Sequence, residues 1–307
     1  MIEAGLIAAR FAHYVALVIA FGAFAYGGAP WGEESEANSR QVAFFSGLAV
    51  VATTFAVLLA TVVGLGGSVE AARDPTLWSA VVNESDFGRV WMVRIVLAVT
   101  LVGVAALSSR KAGPAARGLG VLLAGALLTT VALTGHAQVE SGAEGIIHRA
   151  ADAVHLIAAA VWIGALLPFL MILSRTSADR QVERPDLAAR RLQAFHSVGL
   201  VAVLLLTATG LVNSWFLVGN VRRLVDTSYG LVLLTKLVLF GAMVALAAVN
   251  RLRLVPAITE ALRDGRNGRV ALDRLRTHIR AEFLLGVLVL LAVAVLGAIE
   301  PAAEAAV

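Results

Sequence analysis

The chain has six histidines and no cysteine in 307 residues. Without cysteine there is no disulfide, thiolate metal site, iron–sulfur cluster or cysteine nucleophile, so metal or electron chemistry falls to imidazole. His148, Asp152 and His155 are spaced i, i+4, i+7, which places all three on one face of a helix. His13 and Gly22 in HYVALVIAFGA are echoed by His155 and Gly164 in HLIAAAVWIGA, each pair displaced by 142 positions. With His136, these residues form a possible ligand set for a transition metal: His13, His155, His136, His148 and Asp152. Imidazole suits copper, nickel and zinc, and a carboxylate can ligate directly or orient a histidine. Histidines facing each other in a helical bundle also hold a b-type haem axially, which makes a membrane cytochrome or electron carrier the alternative. Each ring also has a plain structural use, donating to a backbone carbonyl.

A second, sparser set is His196, His278 and Glu282, with His278 and Glu282 four residues apart on one helical face. It suits an exit relay for a cation or proton, or interfacial groups held by nearby arginines. Arg94 and Lys236, again 142 positions apart, are cations inside apolar runs. A buried cation repels a metal unless it is neutralised, so the pair is expected to snorkel, to pair with Asp152, or to contact an anion or haem propionates.

The elements that position these groups follow from composition. Hydrophobic residues make up 59% of the chain and charged residues 15%, with a mean hydropathy of +0.84. Such a chain cannot cover a soluble surface, which excludes a disordered protein, a disulfide scaffold and an ordinary cytosolic enzyme. Eight continuous apolar runs, near 5–28, 41–67, 88–109, 116–136, 147–173, 192–217, 229–250 and 279–299, are long enough to cross a bilayer as helices. The expected fold class is therefore an all-α polytopic membrane protein with eight transmembrane helices in a lipid bilayer. The first run, with Arg10 and His13, is read as a retained span rather than a cleaved signal peptide. The stretch 66–88, with Asp74–Pro75 and Trp78, is expected to hold a short interfacial helix.

The basic residues report orientation, not nucleic acid. Of 25 Lys and Arg, seventeen fall on one side of the eight-span plan and eight on the other. The positive-inside rule puts the richer side in the cytoplasm and both termini outside, so His13, His155, His136, His148 and Asp152 lie in the outer half. The shared 142-residue offset, extended by Phe87–Gly88 with Arg94 against Tyr229–Gly230 with Lys236, suggests a 4+4 tandem repeat. Residues 1–140 would form the first four-helix repeat and 141–307 the second, related by a pseudo-twofold along the membrane normal. AFFS at 43–46 and AFHS at 194–197 relate the second and sixth spans at an offset of 151.

No Walker A, Rossmann, G-x-S-x-G or H-E-x-x-H motif is present. Neither nucleotide hydrolysis nor another enzymatic activity is expected, and transport would be passive or driven by a gradient. The stretches RFAHYVALVIAFGA at 10–23, HLIAAAVWIGALLPF at 155–169 and YGLVLLTKLVLFGAMVALAAVNR at 229–251, on the eight-span plan, resemble the copper resistance protein D family of bacterial inner-membrane proteins. That resemblance implies copper as the ion and movement of copper from periplasm to cytoplasm, alongside a periplasmic copper-binding partner. Carried to this chain, it points first to His13 and His155, then to His136, His148 and Asp152. Soft Cu(I) paths favour Met and Cys, whereas this chain has four Met and no Met ladder.

Overall fold

A computed structural model describes residues 2–27, 33–107, 113–135, 142–178, 185–264 and 269–304. The helices are α1 (Ile2–Tyr26), α2 (Glu33–Gly66), α3 (Pro75–Asn83), α4 (Asp86–Leu107), α5 (Pro114–Ala132), α6 (Gly142–Ala178), α7 (Pro185–Val218), α8 (Arg223–Asp226), α9 (Ser228–Val249), α10 (Val255–Arg263) and α11 (Arg269–Leu296). Among the described residues there is no strand. Eight helical segments are long and apolar enough to cross a membrane, and they coincide with the eight runs read from sequence. Their outward faces carry Leu122, Val238 and Leu211, each about 70% exposed. Side chains of that kind, in such numbers, belong against hydrocarbon rather than water.

The stretch after the second span is helical as expected. A 3₁₀ turn at Val69–Arg73 leads into α3. Asp74 caps α3 by accepting from the amides of Thr76 (2.9 Å) and Leu77, with Pro75 in the first turn. This satisfies donors that the helix start leaves open. The Trp78 indole donates to the Ala72 carbonyl at 2.9 Å and ties the two turns together.

The seventh span departs from expectation. Asn250 does not end its helix; a π turn over Asn250–Leu254 carries it on into α10. A π turn shifts the side-chain register by a residue and recurs at functional sites.

α1 is the central element. It packs on α2 and α5 of the first half and on α6 and α11 of the second. In the first half α1, α2, α4 and α5 close a ring, each packed on the next, while in the second half α6 packs on α7 and α11, and α11 on α9. Between the halves α1 crosses α6, flanked by α5 on α6 and α11 on α1. The crossing is close because Gly22 and Gly164 meet there. A Cβ on Gly22 would overlap the Gly164 carbonyl oxygen, and one on Gly164 would lie 3.0 Å from the Val18 carbonyl. The core around this crossing includes Leu17, Ala20, Ala160, Ala165 and Leu101, all inaccessible to solvent.

Candidate metal site and its surroundings

His13 is 1% exposed, and its Nδ1 lies 2.9 Å from the Thr53 hydroxyl on α2. That hydroxyl has one proton, which it donates to the Ala49 carbonyl at 2.7 Å, so it can only accept from His13. The ring is therefore the Nδ1–H tautomer, and Nε2 carries the lone pair. His13 Nε2 is buried and has no hydrogen-bond partner among the described residues, the state of an imidazole ready to ligate.

His155 repeats the arrangement in the second half. Its Nδ1 lies 2.9 Å from the Thr209 hydroxyl on α7, which donates to the Leu205 carbonyl at 2.6 Å. The ring rests on the α7 backbone at Gly210. The two threonines are 156 positions apart, so this pairing sets α7 against α2 five residues away from the AFFS/AFHS offset.

The two histidines do not face each other, contrary to the sequence expectation. Each lies nine residues before the glycine of the α1/α6 crossing, about two and a half helical turns, and so projects from the opposite side of its helix. Gly22 and Gly164 face the partner half, so His13 and His155 turn away from it, toward α2 and α7. This back-to-back disposition leaves no site for a haem held between them.

His148 and Asp152 share the α6 face of His155 and, like it, meet α7, but each has its own partner there. His148 is 1% exposed and stacks on Phe216 of α7, ring centroids 4.7 Å apart. Asp152 accepts from the Asn213 amide at 3.2 Å, while the Asn213 Oδ1 is buried without a partner among the described residues. His136 lies outside the described residues. Among the described residues no three His, Asp or Glu side chains come together to hold a metal ion.

The two cations differ. Arg94 is 2% exposed and donates from Nε to the Thr130 hydroxyl (2.9 Å) and from Nη2 to the Thr130 carbonyl (2.8 Å) and the Thr134 hydroxyl (3.0 Å). It sits at the C-terminal end of α5, where carbonyls lack helical donors and the helix dipole is negative. The expected anion or propionate contact for Arg94 is thus replaced by a helix terminus. Its charge acts on His13. Lys236 lies within electrostatic reach of Asp152 and of His155.

At the arginine-rich end, the sequence named His278 and Glu282 but missed what joins them. Asn250 Nδ2 donates to Glu282 Oε1 at 2.5 Å, His278 Nδ1 lies 2.9 Å from Asn250 Oδ1, and the Trp162 indole stands beside the same carboxyl. His196, expected with them, stands apart near Arg251. Asn250 and Trp162 each have an ordinary role as cap or packing residue, so only their meeting with Glu282 marks them.

Comparison with known proteins agrees with this architecture. The model of the copper resistance protein D-like N-terminal domain matches residues 1–146, and that of copper resistance protein D matches residues 189–296. The chain is 34% identical to copper resistance protein D of Pseudomonas syringae pv. tomato over 97% of each chain. It is 30% identical to the inner membrane protein YebZ of Escherichia coli (strain K12), covering 96% of this chain and 98% of that one. It is 29% identical to the copper transport protein CutJ of Bacillus subtilis (strain 168), over 78% of this chain and 42% of the relative. No solved structure matches. An eight-span helical protein related over nearly its whole length to such sequences belongs to the copper resistance protein D family.

Proposed function

We propose that this protein is an inner-membrane copper transport or homeostasis protein that takes copper at a histidine near the end of the bundle carrying both termini. On this reading that end faces the periplasm, and copper moves toward the arginine-rich, cytoplasmic end. The observation that carries it is the His13 Nε2 atom, buried, fixed as a lone-pair donor by Thr53 and without a partner among the described residues. His155 offers a second imidazole in the same tautomer on the other half. Asp152, His148 and His136 serve as approach or supporting groups. Arg94 beside His13 favours a monovalent cargo over a divalent one, because a buried like charge is costly. The 4+4 repeat belongs to the same proposal: each half carries one His–Thr pair, and the halves meet at a glycine crossing about which they can rock. The protein acts as a carrier rather than an enzyme, and a periplasmic copper-binding protein delivers its cargo.

The test is copper binding by purified protein and copper-dependent growth of cells making it. His13→Ala with His155→Ala is expected to abolish both. A correctly folded double variant that binds copper like the unaltered protein overturns the assignment.

A further inference from the structure

Glu282 on α11 is 3% exposed and Asn250 is 7% exposed. The carboxyl accepts from the Asn250 amide, a neutral donor, and the Trp162 indole stands beside it. Asn250 Oδ1 can only accept, so the His278 ring donates to it from Nδ1–H. His278 lines a cavity of about 470 Å³ at the arginine-rich end, with Arg253 and Arg274 at its wall. The chain from cavity to buried carboxyl is thus His278, Asn250, Glu282, with Trp162 behind.

No cation neutralises this acid among the described residues. On its own helix Arg276 donates to the Leu173 carbonyl at 2.7 and 3.0 Å and to Asp273 at 2.6 Å. Arg280 is exposed, as are Arg251 and Arg253 of the π turn. Glu260 on α10 is exposed. On α6, Arg175 lies toward the arginine-rich end with its side chain outside the described residues; the described charged groups of α1, α6 and α9 belong to the opposite end, where Arg10 reaches the Gly297 carbonyl, His13 and His155 hold their threonines, and Asp152 interacts with Lys236. Lys236 lies fourteen residues before Asn250, about 21 Å along the helix. An ionised carboxylate buried without a cation is strongly disfavoured, and inside a membrane the usual remedy is a bound proton.

We propose that Glu282 is an exchangeable proton site, loaded from the arginine-rich end through His278, with Asn250 as the side chain that opens and closes the connection. The carboxylate takes one proton and becomes a neutral acid; on release the proton passes to the cavity at His278. Asn250 begins the π turn, whose looser backbone bonding gives its amide room to swing clear. Trp162 lies seven residues from His155 on the same face of α6, so a shift of α6 at one end moves the indole that stands beside Glu282 at the other. Taken with the copper reading, on which this last step rests, the proton is the ion whose gradient drives the cargo.

Infrared spectroscopy of copper-free protein in nanodiscs tests the proton site without reference to copper, so its failure leaves the copper reading standing. A carbonyl band of a protonated carboxylic acid is expected at neutral pH, lost in Glu282→Gln and moved to higher frequency in Trp162→Phe, which removes the polar N–H beside the carboxyl. His278→Gln is expected to slow deuterium exchange of that band several-fold. Absence of the band, or a band untouched by both Glu282→Gln and Trp162→Phe, overturns the proposal. Should Glu282→Gln fail to fold, Trp162→Phe decides. Exchange unchanged in His278→Gln overturns the route.

Discussion

Gly22 and Gly164, 142 positions apart in the chain, meet backbone to backbone where α1 crosses α6. The contact depends on a third residue. Pro168 lies four positions after Gly164 inside α6 and has no N–H to return to the Gly164 carbonyl. That carbonyl is left open toward α1, and the hydrogen standing in place of a Gly22 side chain approaches it, a geometry that suits a weak Cα–H···O bond. The same crossing turns His13 and His155 outward, so one small-residue contact sets the direction of both imidazoles.

Substitution at this crossing is expected to separate by position. Gly22→Ala drives a methyl into backbone that cannot yield and should cost about 1–3 kcal/mol. Gly164→Ala, with its nearest neighbour at 3.0 Å, should cost less. Gly241→Ala meets nothing within 4 Å and should be neutral or slightly stabilising through helix propensity. Thermal unfolding in one detergent checks the order.

Thr53 acts on the metal only through His13. Thr53→Val removes the acceptor that holds the Nδ1–H tautomer and should weaken copper binding roughly 10–100-fold, the range for partners of metal-ligating histidines. Thr53→Ser should restore most of it. Titration calorimetry with Cu(I) under a competing chelator reads the difference, while the melting temperature should barely move.

Arg94 binds the end of α5 through three hydrogen bonds, a pattern that lysine cannot reproduce. Arg94→Lys is expected to destabilise by about 1–3 kcal/mol through buried acceptors left open. Because Arg94 is engaged here and the two histidines point apart, the purified protein should show no Soret band. A sharp Soret band that survives washing would restore the haem alternative.

The absence of native cysteine makes orientation directly measurable. Glu304→Cys lies at the end carrying the termini and Arg263→Cys at the arginine-rich end, and both positions are exposed. An impermeant maleimide added to intact spheroplasts should label the first and not the second. The reverse pattern would invert the proposed direction of copper movement.

The spans were legible because each is a long apolar run whose hydrogen bonds close within itself, so length and composition suffice. The short helix α3 was legible for a similar reason, since Asp74–Pro75 is a local start signal. His13 and His155 stood out as ionisable groups in apolar sequence, and His278 with Glu282 by their spacing. Their partners did not stand out. Thr53 and Thr209 are ordinary membrane residues until an imidazole lies 2.9 Å away. The seventh run was ended at Asn250 because nothing local foretells a π turn.

The sequence by itself determined that the chain crosses a membrane eight times, that its chemistry rests on imidazole and carboxyl groups, and which residues could supply it. Burial energy and backbone hydrogen bonding decide those matters residue by residue. Tertiary structure alone decided which way each histidine points, what holds Arg94, and that Trp162, Asn250 and Glu282 meet. Those outcomes depend on how helices rotate and cross, and that is set by contacts such as Gly22 with Gly164 between segments far apart in the chain.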